Sequence, residues 1–126
     1  IVMGHFNKSK GTLIDDLFYY EGEKKIKARA VTRFSLIDSK NNYSLLKLNP
    51  ETGRKHQLRK QLLIHGYPIL GDDKYNFSKK KNNKKKNLML HAHKIHFMID
   101  NYKYNFTADL PEYFIKFIKE KSLRVY

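Results

Sequence analysis

The sequence predicts an α+β fold: a mixed, mainly antiparallel sheet with flanking helices, incomplete at its N-terminus. Three observations carry this. Apolar residues alternate with period two over residues 27–38, 43–48, 88–99 and 102–108. Helical spacing appears over residues 55–65 and again after Pro111. The order strands, helix, strands, helix segregates the two kinds of element, as α+β proteins do.

Each element has a local reason. Ile1-Val2-Met3-Gly4 reads as the apolar tail of a strand meeting a turn, so the chain is expected to start within a domain; Met3 as a true start is the competing reading. Residues 12–20 suggest a short element near the surface. In residues 27–38, Ala28, Ala30, Thr32, Phe34 and Leu36 fall on one side of a strand. Ser39-Lys40-Asn41-Asn42 is a turn, and residues 43–48 return as the partner strand of a hairpin. Pro50 and Gly53 break that strand, and Thr52 or a neighbour can cap a helix running from near Lys55 to about His65. In that helix Leu58, Leu62 and His65 share a face, and Gly66 stops it. Asp100-Asn101 suits a two-residue turn between residues 88–99 and 102–108. Pro111 then opens a helix with Tyr113, Phe114, Phe117 and Ile118 at helical spacing.

Length and composition bound the function. At 126 residues the whole chain, 1–126, is part of a single domain, and 40% hydrophobic content is enough for a packed core. The 26 Lys and Arg outnumber 12 Asp and Glu, a net charge of +14 that is costly in self-repulsion unless the surface meets a polyanion. Nucleic acid is the leading partner. No apolar run reaches the ~20 residues needed to span a bilayer, so no membrane partner is expected. Without cysteine there is no disulfide or thiolate metal site, which fits a reducing compartment.

The densest chemistry lies at residues 54–60, where Arg54, Lys55, His56, Gln57, Arg59 and Lys60 cluster at a helix start. Free backbone N–H groups and the helix dipole favour an anion there. Gln57 and His56 add neutral donors and acceptors suited to a base edge or a ribose hydroxyl. Composition alone leaves an ordinary solvated basic face as the alternative.

Thr52-Gly53-Arg54, His56-Gln57-Leu58-Arg59, Pro68-Ile69, Gly71-Asp72 and Tyr75 stand in an order and spacing that resemble the signature of the RluA family of RNA pseudouridine synthases. Leu90-His91-Ala92 is similar to a strand of that family, and Ala108-Asp109-Leu110-Pro111 to the opening of its last helix. The resemblance implies a pseudouridine synthase-like fold of which this chain is the C-terminal part. It implies an isomerase that breaks the uridine C1′–N1 bond, turns the uracil and rejoins it through C5, with no cofactor and no metal. The substrate would be RNA, most naturally large-subunit ribosomal RNA, bound by a monomer in the cytoplasm or, alternatively, in a mitochondrion. By matching position Arg59 pairs with a nucleophilic Asp of an upstream HRLD motif, while Arg54, Lys55, His56, Gln57 and Lys60 bind substrate. An arginine fits because its planar fork holds a carboxylate and a phosphate together.

The sequence also departs from the family. It holds no HRLD, and Ile1-Val2-Met3-Gly4 resembles only the final residues of the family's tyrosine motif. The chain alone is therefore expected to bind RNA weakly and isomerise nothing. Asp72 and Asp73 fall on the family's GD turn, where capping and loop structure are their expected roles. Lys60-Gln61 replace a frequent apolar residue and His, and Asn76 a usual Gly. A non-catalytic RNA-binding module and a basic ribosome-associated protein remain the competing functions.

Three further features have bland alternatives. His91 and His93, two apart on a strand, invite a metal with His96, yet no third ligand or supporting shell is evident, and His91 reads better as hydrogen-bonded and His96 as solvent-facing. Residues 78–87, a loop insertion with six Lys, are either an auxiliary phosphate contact or a solvated insertion. Tyr102, Tyr104 and Phe106 alternate as a stacking platform would, with core packing of the sheet the stronger reading.

Overall fold

A computed structural model describes residues 1–78 and 86–125. Most of the Lys-rich insertion read from the sequence lies outside the described residues. The elements are β1 (Val2–Met3), β2 (Lys10–Glu21), β3 (Lys24–Lys40), β4 (Tyr43–Pro50), α1 (Gln57–Ile64), β5 (Lys94–Ile99), β6 (Tyr102–Thr107) and α2 (Glu112–Glu120). The class is α+β. A four-stranded sheet runs β1-β4-β3-β2 and a separate two-stranded ladder joins β5 and β6. Every ladder among the described residues is antiparallel, in keeping with the mainly antiparallel sheet expected from the sequence.

The β3–β4 hairpin turns at Asn41 and Asn42, both left-handed (φ 53° and 64°), and the β5–β6 hairpin at Asp100 and Asn101 (φ 48° and 66°). Paired left-handed residues match the twist of the flanking strands, and Asn and Asp tolerate that conformation best. In β3 Ala30, Thr32 and Phe34 are buried on the inner face. A register shift between Leu36 and Asp38 places a bulge at Ile37, beyond which the strand continues to Lys40.

Four readings are corrected. Residues 12–20 are not a short surface element but most of β2, paired with β3 from Lys10 to Glu21. Its inner face carries Leu13 and Leu17, both buried, with the polar Asp15 between them, which obscures the alternation. The residues before Lys94 do not join β5; instead Met89 is buried and its N–H bonds the Leu70 carbonyl at 2.9 Å. Tyr102, Tyr104 and Phe106 do not pack into the core: they are 71%, 39% and 56% exposed. Among the described residues their hairpin makes no ladder with the main sheet, and the rings stack along it, Phe97 on Tyr104 at 5.2 Å and Tyr104 by Phe106 at 6.5 Å.

The fourth correction concerns α1. Its N-cap is His56, left-handed at φ 52°, with no side-chain cap, so Thr52 does not cap it. The buried residues of α1 are Gln57, Gln61 and Leu62, rather than the stripe of Leu58, Leu62 and His65. The amides go inward because the sheet offers each a full set of partners. Gln61 Nε2 donates to the carbonyls of Leu13 and Ala30 and to Asp15 Oδ2, while Gln61 Oε1 accepts from Thr32 Oγ1. Gly66 ends the helix as expected, at φ +87°.

The core lies between the inner face of the main sheet and the two helices, where Phe6, Phe34, Leu62, Ile69, Phe114 and Ile118 meet. The segment after α1 is clamped on both sides. Met3 N–H bonds the Pro68 carbonyl and Leu70 N–H bonds the Ile1 carbonyl, each at 3.0 Å. This clamping fixes the Gly71-Asp72 turn opposite α1.

Candidate functional site

Two segments build the site: the turn from Glu51 into α1, and the turn from Gly71 to Asn76. The first is set by Gln57. Its Oε1 accepts from Thr52 Oγ1 (2.7 Å) and from the Arg54 N–H (3.0 Å), and its Nε2 donates to the Val31 carbonyl (3.1 Å) and Thr32 Oγ1 (2.8 Å). The amide is therefore fully engaged, and at 5% exposed it belongs to the scaffold. In this arrangement the amide holds the turn against β3, whereas the sequence reading gave it to the substrate.

The second turn is organised by Asp72, whose side chain is 0% exposed. Its Oδ1 accepts from the Lys74 and Tyr75 N–H groups at 3.0 and 2.9 Å, closing the turn. The same carboxylate takes a bidentate pair from Arg59: Nε to Oδ2 at 2.7 Å and Nη2 to Oδ1 at 2.8 Å. The Tyr75 ring lies 4.9 Å from Arg59 Cζ, covering one face of the guanidinium. The Tyr75 hydroxyl in turn hydrogen-bonds His56 Nδ1 at 2.8 Å. Arg59, Asp72, Tyr75 and His56 thus form one connected group.

The electrostatics follow from these contacts. Burial raises the Asp72 carboxyl, but the Arg59 hydrogen bond and the Tyr75 and Lys74 N–H groups outweigh it and bring its pKa below the ordinary carboxylate value. The hydrogen bond to Asp72 holds Arg59 above its own ordinary value. His56 is pushed down, first by burial and then by the charges of Arg59, Lys74, Lys55 and Lys60. Lys60 is lowered by burial and by Lys55 and Lys74. Arg59, Lys55, Lys60 and Lys74 stand around the buried Asp72 carboxylate, with Asp73 as a further acid acting on Arg59, and another anion would relieve the positive surplus.

Each residue singled out from the sequence has a place. Arg59 is at the centre, but its carboxylate among the described residues is Asp72. His56 and Lys60 flank it, Lys60 Nζ donating to the Phe18 carbonyl at 3.2 Å. Lys55 is exposed beside them. Arg54 turns toward β3, where its Nε donates to the Arg29 carbonyl at 3.0 Å. Sequence reasoning missed the Arg59–Asp72 pair and the partnership of Tyr75 with His56. An Asp whose carboxylate closes a turn onto the residues two and three ahead was the available signal. His91 and His93 both bond the Ala108 carbonyl, at 3.1 and 2.7 Å, and His96 is exposed on β5. Among the described residues no group of three His, Cys, Asp or Glu is placed to hold a metal.

Residues 3–63 match the family described as RNA pseudouridylate synthase. The chain is 33% identical over 126 residues to ribosomal large subunit pseudouridine synthase D of Borreliella burgdorferi, covering 94% of this chain and 38% of that protein. It is 37% identical over 121 residues to ribosomal large subunit pseudouridine synthase C of Rickettsia typhi, covering 92% of this chain and 38% of that protein. The chain belongs to the RluA family of RNA pseudouridine synthases. The fold agrees: the human RNA pseudouridylate synthase domain containing 4 superposes with a TM-score of 0.79 at 22% identity, over 98% of this chain and 60% of that one. This RluA-family chain spans 38% of the length of each of these two curated relatives. Its Arg59 group lies where the family signature and the Gly71-Asp72 turn meet.

Proposed function

We propose that the complete protein is an RNA pseudouridine synthase that converts particular uridines of large-subunit ribosomal RNA to pseudouridine. One observation carries the reading. The signature arginine of an RluA-family chain, Arg59, is held on one edge by Asp72 and has no partner at Nη1 among the described residues. Such an arginine can pair with a nucleophilic carboxylate supplied from outside these 126 residues and keep it ionised. Lys55, Lys60 and Lys74 supply the charge that would hold the backbone of a nucleotide drawn out of its stack. The names of the relatives support the substrate class, and the cytoplasm is the compartment proposed for the complete protein.

In this reading the chain alone, with no HRLD motif, binds RNA and leaves uridine unchanged. The test is tritium release from ribosomal RNA carrying C5-labelled uridine. Release by the complete protein and none by the 126-residue chain is the expected result. Binding without release by the complete protein would select the non-catalytic RNA-binding module instead.

A further inference from the structure

Arginine is a long side chain with five N–H donors, and its fork binds anions in a defined direction only when something fixes its rotation. Here that fixing is built from two sides, an edge and a face. Asp72, fully buried, takes Nε and Nη2 together. Asp72 cannot swing, because its Oδ1 also holds the N–H groups of Lys74 and Tyr75. The Tyr75 ring covers one face of the guanidinium, and His56 holds the Tyr75 hydroxyl. One edge, ending in Nη1, is left without a partner among the described residues.

We propose that Asp72 is a positioning residue for the reaction: it locks Arg59 so that the Nη1 edge is presented to a second oxyanion, a carboxylate or an RNA phosphate, at the reacting nucleotide. This rests on the reading that the complete protein isomerises uridine. Asp72 itself touches neither substrate nor reacting atoms. Its charge is spent on orienting Arg59, and orientation is worth large rate factors when the oriented group faces the reacting centre.

The test compares Asp72→Asn with Asn76→Ala in the complete protein. Asp72→Asn keeps the side-chain shape and an oxygen for the turn N–H groups, but places an amide against Arg59. Asn76→Ala removes the 2.8 Å bond from Asn76 Nδ2 to the Asp72 backbone carbonyl and leaves the carboxylate and its partners in place. Three quantities are read: the single-turnover rate of uridine conversion, the affinity for substrate RNA across a salt series, and solvent exchange of the Arg59 Nε–H by nitrogen NMR.

The expected result is a rate lowered about a hundredfold in Asp72→Asn, little change in Asn76→Ala, and faster Arg59 Nε–H exchange in Asp72→Asn only. Unchanged affinity and salt dependence assign the second oxyanion to a carboxylate. A salt slope smaller by about one unit assigns it to a phosphate. Equal rate losses in the two variants, or an Arg59 Nε–H indifferent to Asp72→Asn, overturn the proposal. If the unaltered protein converts no uridine, the functional reading falls and with it the role in the reaction; the NMR comparison still tells whether Asp72 orients Arg59.

Discussion

Gln57 Oε1 accepts a 2.7 Å hydrogen bond from Thr52 Oγ1, and the same oxygen accepts the Arg54 N–H at 3.0 Å. With Gln57 Nε2 on Val31 and Thr32, one amide stitches the turn before α1 to the middle of β3. Gln57→Leu conserves volume but leaves several buried groups unpaired. The loss should be about 3 kcal/mol. Urea unfolding would show it as a lower midpoint at unchanged slope; an unmoved midpoint would mean that water replaces the amide at no cost.

His56 makes stability depend on pH. Its folded pKa lies below the ordinary 6.5, because burial and then the cations Arg59, Lys74, Lys55 and Lys60 disfavour the imidazolium. Between the two values the unfolded chain binds more protons, so stability rises with pH. The contribution is complete above 6.5 and is lost as pH falls through the folded value. Thermal unfolding between about pH 5 and pH 8 should therefore show a steeper acid decline in the natural protein than in His56→Gln. Parallel profiles would exclude His56 as the source.

Gly66 and Gly71 are both left-handed, at φ +87° and +83°, but only one is crowded. A Cβ on Gly66 meets nothing within 4 Å, whereas one on Gly71 would overlap the Asn87 carbonyl oxygen. Gly66→Ala should cost about 1 kcal/mol of backbone strain. Gly71→Ala should cost clearly more and also displace Asp72 beside it. Melting temperatures rank the two, and equal losses would contradict the close approach of residue 87.

Lys55 and Lys74 supply charge around Arg59, and among the described residues neither ammonium has a hydrogen-bond or ion-pair partner. Replacing both by Ala should weaken RNA binding with little regard to sequence and reduce the slope of log affinity against log salt by about one unit for each lysine. Fluorescence anisotropy over a salt series measures this. A slope that stays the same would place the phosphate path elsewhere on the surface.

Local signals explain what could be read early. The β3–β4 and β5–β6 turns carry their own left-handed Asn and Asp, Gly66 stops α1, and Pro111 opens α2. The inner face of β2 was hidden because Asp15 interrupts it. That residue is tolerated there by Gln61 and by His65 Nε2, which lies 3.0 Å from Asp15 Oδ2, both about fifty positions later in the chain. Hydrophobic periodicity misplaced the buried face of α1 for the same reason. Gln57 and Gln61 look like solvent residues until their partners on β2 and β3, 25 to 48 positions away, are in place. The alternation of Tyr102, Tyr104 and Phe106 was correctly strand-like, but alternation does not say whether anything covers either face.

The signature around Arg59 and the local periods of strand and helix are properties of neighbouring residues, so the sequence by itself determined the family resemblance, the α+β class and most turns. Only the tertiary structure decided which amides lie inside, that the aromatic hairpin stands exposed, and that Asp72 holds Arg59. Burial of a polar group depends on whether its hydrogen-bonding partners arrive from elsewhere in the chain, and spacing along the chain does not record that.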